Sequence, residues 1–305
     1  MEKNRKKHVV IAVIAMLVVG SVFGLKVLKS SASEGKGIIE QIDGVLYYTV
    51  DGEIMEDFTD AVEYQGTIYC VKDGMVPYDY TGLFNTQSMG TIYVVNGIMQ
   101  KNYTGLASNH NGTFLVENGK VPLGKDGVHG LKEVNGEIYY FSGSKVTYSF
   151  TGITRLNTTR YYVLKGEICR RYTGVYTYRN ENFYIEKGVV NEKRSKVLDA
   201  AIECKGKNCR NEDLTAKAYS KIGLELPSKN WDKINSKDNK KVDRNSMKPG
   251  DMLWYGRTAN YQELGIYIGN DKMIRTFSSD DTADVVNIKD DVNYNGGNVV
   301  SWINE

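Results

Sequence analysis

Seven glycines recur through the first two thirds of this chain with a regularity that few folds can accommodate. They stand at positions 52, 74, 97, 119, 143, 166 and 188, so successive separations are 22, 23, 22, 24, 23 and 22 residues. A fixed period of this length marks a repeat array. Most of these glycines close a turn, as in Asp51-Gly52, Asp73-Gly74, Asn96-Gly97 and Asn118-Gly119, after an apolar or aromatic run such as Tyr47-Tyr48-Thr49-Val50. Asp-Gly and Asn-Gly supply the two positive φ angles of a type I′ turn, so each unit is predicted to be a β-hairpin. A second turn signal precedes most units, at Asp43-Gly44, Gln65-Gly66, Asn111-Gly112 and Asn135-Gly136, and the linkers end at Gly82, Gly105, Gly127, Gly152 and Gly174. Units of this size cannot bury a core alone and must stack on their neighbours, which predicts a β-hairpin solenoid over residues 40–190.

Aromatic usage changes where the period ends. Seventeen of the 22 tyrosines precede Asn191, and all three tryptophans, Trp231, Trp254 and Trp302, follow it. That shift predicts a second, unlike domain over residues 192–305. The 39 basic and 37 acidic side chains leave a net charge of +2, a balance that calls for neither nucleic acid nor an anionic polymer as partner. Four cysteines at irregular separations are too few for a disulfide scaffold. Cys70 and Cys169 read as buried thiols, while Cys204 and Cys209 are open to either a short-loop disulfide or free thiols. His110 and His129 lie in turn-rich segments without a ligand cluster, so no metal or cofactor is expected.

Residues 1–33 have the pattern of an export segment. Lys3, Arg5, Lys6 and Lys7 precede an apolar run over residues 9–25, interrupted only by Gly20, Ser21 and Gly24. The run sits between a secretory signal and a spanning helix in length. A cleaved signal peptide and a retained N-terminal membrane anchor are both open, and either places the rest of the chain outside the membrane.

Within residues 192–305, residues 197–204 and 213–222 have helical spacing, with Gly223 as a C-cap. Lys229 to Lys248 reads as a charged, solvated loop, as does Asp280 to Asp291. Pro249-Gly250-Asp251 is a turn followed by an apolar strand, and Glu263-Leu264-Gly265-Ile266-Tyr267-Ile268-Gly269 is a second strand. Asn270-Asp271 closes a hairpin onto Met273-Ile274-Arg275.

These residues resemble the NlpC-type peptidoglycan endopeptidases, whose motifs run Asp-Cys-Ser-Gly-Leu, helix, Gly-Ile-x-Leu-Pro, then Pro-Gly-Asp, strand, His-Val-Gly-Ile-Tyr-x-Gly-Asn, strand, Ile-His. The resemblance implies a papain-like α+β domain. It also implies where the catalytic groups would fall: the nucleophile at Asn211, the base at Glu263 and the imidazole-orienting group at Arg275. An asparagine amide cannot become a nucleophilic thiolate, and no histidine occurs anywhere from Glu192 onward. Cys209, two residues before the nucleophile position, is the fallback nucleophile. Glu263 and Arg275 should stand on adjacent strands and are expected to pair as ions. The repeats, with tyrosine pair, hairpin glycine and Tyr-Thr-Gly, resemble the wall-binding and choline-binding repeats of Gram-positive surface proteins and the carbohydrate-binding repeats of clostridial toxins. With no tryptophan among them to cage a quaternary ammonium, stacking of sugar rings on Tyr80, Tyr103, Tyr148 and Tyr172 takes the place of choline binding.

The sequence therefore predicts an α+β protein on the extracellular side of the membrane or in the wall, attached to cell-wall polysaccharide, peptidoglycan or another wall protein. Its C-terminal domain is expected to bind or scaffold. Two alternatives stay open: an active endopeptidase built on Cys209, and a host-glycan adhesin in which the repeats are the functional part.

Overall fold

The computed structural model describes residues 37–209, 211–258, 261–277, 280–289 and 299–304, with single side chains at several element ends left undescribed. Residues 1–33, where an export segment is expected, lie outside them. Among the described residues no helix is long and apolar enough to cross a membrane. The chain divides into two compact units, one ending at Tyr78 and the other starting at Asp79.

The first unit is made of hairpins. Ile38–Ile42 pairs antiparallel with Val45–Val50, which pairs in turn with Glu53–Ile54, and Asp60–Tyr64 pairs with Thr67–Val71. The turns between them have the conformation their sequences require, with φ of 51° at Asp43 and 80° at Gly44. The second unit opens with more of the same. Gly82–Thr86 pairs with Gly90–Val95, Gly105–Asn109 with Gly112–Val116, Gly130–Val134 with Glu137–Ser142, Gly152–Leu156 with Thr159–Leu164, and Gly174–Tyr178 with Glu181–Glu186.

The hairpin glycine links one repeat to the next. Gly166 has a φ of +78°, and a Cβ there would meet the carbonyl oxygen of Thr147 at 2.7 Å. Its amide donates to the Phe150 carbonyl (2.9 Å), and its own carbonyl accepts from Tyr140 N of the preceding hairpin (2.8 Å). The same pair of bonds recurs at Gly119 with Tyr103 and Tyr93, and at Gly188 with Tyr172 and Tyr162. The 22–24-residue period is the spacing of this junction.

Three helices and a six-stranded sheet follow. The helices are α1 (Glu192–Ile202), α2 (Asn211–Ser220) and α3 (Asn230–Asn235). The strands are β1 (Lys240–Val242), β2 (Met252–Thr258), β3 (Tyr261–Gly269), β4 (Lys272–Thr276), β5 (Ala283–Asn287) and β6 (Val299–Ser301), in the antiparallel order β1-β6-β2-β3-β4-β5. Side chains alternate across this sheet. Met252, Leu264, Ile266, Ile274 and Val300 join Val197, Leu214 and Ala218 of the helices in the main core, while Leu253, Met273, Ile288 and Val299 form a smaller cluster on the other face.

Two stretches that read as loops are structured. Lys229 to Lys248 holds α3 and β1, and Asp280 to Asp291 holds β5. Their charge masks short elements fixed by tertiary contacts: Ile234 is buried, Lys233 is 1 % exposed with its ammonium donating to Thr215 Oγ1 (3.0 Å), and Trp302 Nε1 donates to the Lys233 carbonyl (3.1 Å).

Candidate functional site

The Pro249-Gly250-Asp251 turn is a clamp. Asp251 is 1 % exposed, and its carboxylate accepts from Arg194 Nη1 (2.9 Å) and from the Lys248 amide (2.8 Å). Arg194, itself buried on α1, also donates to the Pro249 carbonyl (3.1 Å) and to Ser301 Oγ (3.3 Å). The Tyr219 hydroxyl of α2 donates to the Gly250 carbonyl, and burial drives its pKa well above the ordinary phenol range. The turn thereby ties α1, α2, β2 and β6 together. Arg194 carries no motif signal in the sequence, and only its burial reveals its part.

The positions that the resemblance assigns to catalysis do not converge. α2 starts at Asn211 and packs, through Leu214 and Ala218, on the Leu264 and Ile266 face of the sheet. Alternation then sends Glu263 to the opposite face, with Tyr267. The side chains β2, β3 and β4 present to the helices include Trp254, Leu264, Ile266 and Ile274, none of which can take up a proton at neutral pH.

Glu263 and Arg275 do stand on adjacent antiparallel strands, in the register Ile266↔Ile274. Extending that register sets Glu263 opposite Phe277, and the Arg275 guanidinium covers the Phe277 ring at 4.1 Å. Arg275 is buried and also donates to the Thr276 carbonyl (3.3 Å). Among the described residues the ion pairs that involve this domain are Arg160–Glu192, Arg194–Asp251, Lys248–Glu186 and Lys289–Asp271; Glu263–Arg275 is not one of them. The contact the structure gives the Arg275 guanidinium on this side is the face of an aromatic ring.

Cys209 lies in the main core, 9 % exposed, with its sulfur 3.6 Å from that of Cys204. Burial, and then the hydrogen bond to Cys204, pushes its thiol up to about 12. At neutral pH it is fully protonated, the opposite of what a nucleophile requires.

A further feature near α2 has no counterpart in the sequence reading. Trp254 and the exposed Trp231 of α3 meet edge to face, with ring centroids 6.4 Å apart, and the buried Trp254 Nε1 has no acceptor among the described residues.

In the repeats, three of the four glycan-stacking candidates are structural. Tyr80, Tyr103 and Tyr172 fold back over their own linker, their hydroxyls donating to the carbonyls of Leu83 (2.5 Å), Leu106 (2.7 Å) and Val175 (2.8 Å). Tyr103 stacks on Tyr93 at 4.2 Å, and Tyr172 packs on Tyr162 at 4.8 Å. Phe150, not Tyr148, holds the corresponding place, stacked on Tyr140 at 3.9 Å. Tyr148 is 49 % exposed. Where a linker carries a threonine it closes the unit, its Oγ1 accepting from the first amide of the turn 14 residues on: Thr104 from Asn118 (3.2 Å), Thr151 from Lys165 (3.1 Å), Thr173 from Lys187 (3.0 Å). Tyr-Thr-Gly is thus one device. The ring packs, the hydroxyl caps, and the glycine leaves room for the ring.

Comparison with known proteins agrees with both halves of this description. Residues 206–294 match the model of the NlpC/P60 family, and residues 102–121 match that of the choline-binding repeat. The chain therefore joins an NlpC/P60-like domain to hairpin repeats, one of which matches the choline-binding repeat. Among solved structures it is similar to RipD from Mycobacterium tuberculosis, described as a non-catalytic NlpC/p60 domain protein adapted to peptidoglycan binding, at 18 % identity and a TM-score of 0.31 over 36 % of this chain and 98 % of that one. It is also similar to the P60 domain of an antigen of M. avium subspecies paratuberculosis (14 %, TM-score 0.32, 37 % and 97 %) and to NlpC1 from Trichomonas vaginalis (11 %, TM-score 0.29, 88 % and 95 %). No curated protein matches.

Proposed function

We propose that this is an exported cell-surface protein that binds cell-wall or surface glycan through stacked hairpin repeats, and that its NlpC/P60-like domain binds or scaffolds and does not cleave. One observation carries the second half of this reading. Residues 192–305 contain no histidine, and the thiol nearest the start of α2 is buried and protonated. Peptide cleavage by this fold's chemistry needs an activated sulfur beside a base, and neither half is present. Export rests on the basic-then-apolar pattern of residues 1–33, and wall attachment on the repeat match over residues 102–121.

The domain retains what recognition needs. Its core, its Pro249-Gly250-Asp251 clamp and the paired Trp231 and Trp254 keep the scaffold together without a reactive thiol. A peptide stem of peptidoglycan is the ligand class such a surface fits, since shape and hydrogen bonding do not depend on a nucleophile. The test is to incubate the purified chain with insoluble peptidoglycan and with soluble muropeptides, measuring co-sedimentation in the first case and product masses in the second. Co-sedimentation with every muropeptide mass unchanged is expected. Cleavage that Cys209→Ala abolishes would sink the reading.

A further inference from the structure

We propose that Cys204 and Cys209 are a disulfide-forming pair that closes the turn between α1 and α2. The two sulfurs are 3.6 Å apart, both in the main core and 1 % and 9 % exposed. A disulfide needs about 2.05 Å, so closure asks for a movement of about 1.5 Å, within reach of small side-chain rotations.

The backbone between them is held in place by its neighbours. The Gly206 amide donates to the Ala283 carbonyl (2.7 Å), the Cys209 amide to the Asp281 carbonyl (2.6 Å), and the Ala283 amide back to the Lys207 carbonyl (3.0 Å). Gly206 takes a φ of +70°, which lets the chain reverse between the cysteines. The turn is strapped to the start of β5 on one side and packed on the core on the other. Cys70 and Cys169 stand elsewhere, Cys70 buried in the first unit and Cys169 at the linker of a late repeat, and neither has a cysteine beside it.

The oxidant is a disulfide of the thiol–disulfide exchange class, such as oxidised glutathione or an oxidoreductase dithiol in its oxidised form. One cysteine loses its proton and attacks a sulfur of that disulfide, releasing one thiolate and forming a mixed disulfide. The second cysteine, also deprotonated, displaces the other half. The pair loses two protons and two electrons, and the oxidant gains them as two thiols. Burial pushes the Cys209 thiol up once the core has packed, so the exchange runs while the turn is still folding. The inference is independent of glycan binding. It does remove Cys209 from any role as a nucleophile.

The test uses the whole chain, unfolded and refolded in oxidised and reduced glutathione, blocked with iodoacetamide, digested without reductant and analysed by mass spectrometry. The expected product is a Cys204–Cys209 linked species two hydrogens lighter than the free-thiol peptides, with Cys70 and Cys169 alkylated. Its melting temperature should fall by a few degrees on adding dithiothreitol, and a Cys204→Ser/Cys209→Ser chain should lack that response. Alkylation of both Cys204 and Cys209 in chain that has regained its native circular dichroism overturns the proposal, as does pairing of either with Cys70 or Cys169.

Discussion

Asp251 is the residue on which the C-terminal domain depends most directly. A buried carboxylate without its guanidinium is a far worse problem than an apolar pair in the same place. Arg194→Met, which leaves Asp251 charged and alone, is expected to destabilise the fold by about 3–5 kcal/mol in urea unfolding, whereas an Arg194→Met/Asp251→Leu double change should recover much of the loss. The tyrosines call for the opposite sort of experiment. Because the Tyr103 hydroxyl is used within its own linker, Tyr103→Phe should cost about 1 kcal/mol in stability and leave wall binding as it was. Tyr148→Ala, at an exposed ring, should do the reverse. Sequence placed all four tyrosines in one class because spacing alone does not say which way a ring turns. Tyr148 was two residues out of the structural register that Phe150 occupies.

At the scale of elements, the hairpin junction and the first turn of α1 set the rules. Gly166→Ala would force a Cβ against the Thr147 carbonyl in a left-handed conformation, and a loss of roughly 1–3 kcal/mol is expected, read as a lower melting temperature with no change in the domain's core. The last two hairpins are fastened to α1: from the last, Ser195 Oγ accepts from Tyr184 N (2.9 Å) and Asp199 accepts from Asn182 N (2.8 Å), and from the one before it Arg160 pairs bidentately with Glu192. The hydrogen bond from Arg160, with its charge, holds the Glu192 carboxyl below the usual range. A depressed folded-state pKa contributes stability that is fully present above the unfolded value, about 4.3, and is lost as pH falls through the lower folded value. With the carboxylate 42 % exposed, the contribution is at most about 1 kcal/mol. Thermal melts between pH 3 and 7 should therefore differ between the wild type and Glu192→Gln near neutrality and converge at acid pH.

For the whole molecule, the hairpins after Asp79 and the NlpC/P60-like domain are one compact unit, and no linker separates Val190 from Asn191, whose side chain caps α1 by accepting from Arg194 N (3.1 Å). A fragment starting at residue 192 loses the Tyr184 and Asn182 contacts and should unfold at lower urea than one starting at residue 174. The near-zero net charge also hides a gradient along equivalent repeat positions. Glu56 and Asp57 sit beside the Asp73 turn, whose amide donates to Thr59 Oγ1, and Arg170 and Arg171 sit beside the Lys187 turn, tied in the same way to Thr173. All six side chains are exposed. On the wall-binding reading, replacing Arg170, Arg171 and Lys187 with serine should weaken retention on an anionic wall polymer at low salt and make little difference near 1 M, where the screening length is about 3 Å.

The sequence by itself determined the repeat period, the hairpins and their turn types, and the absence of a thiol–imidazole pair. Each of these is a local or compositional matter: a turn needs its glycine within two residues, and a missing histidine cannot be restored by folding. Only the tertiary structure decided that Glu263 and α2 lie on opposite faces of the sheet, that Arg275 covers a phenylalanine, that the linker threonine caps a turn 14 residues away, and that Arg194 and Asp251 neutralise each other in the core. Those outcomes depend on side-chain direction, as for Arg275 two residues from its phenylalanine, and on contacts between residues 14 positions apart for the threonine cap and 57 apart for Arg194 and Asp251. The glycine period announced the array. Which way Tyr80, Tyr103 and Tyr172 turn was decided by the carbonyl each hydroxyl found.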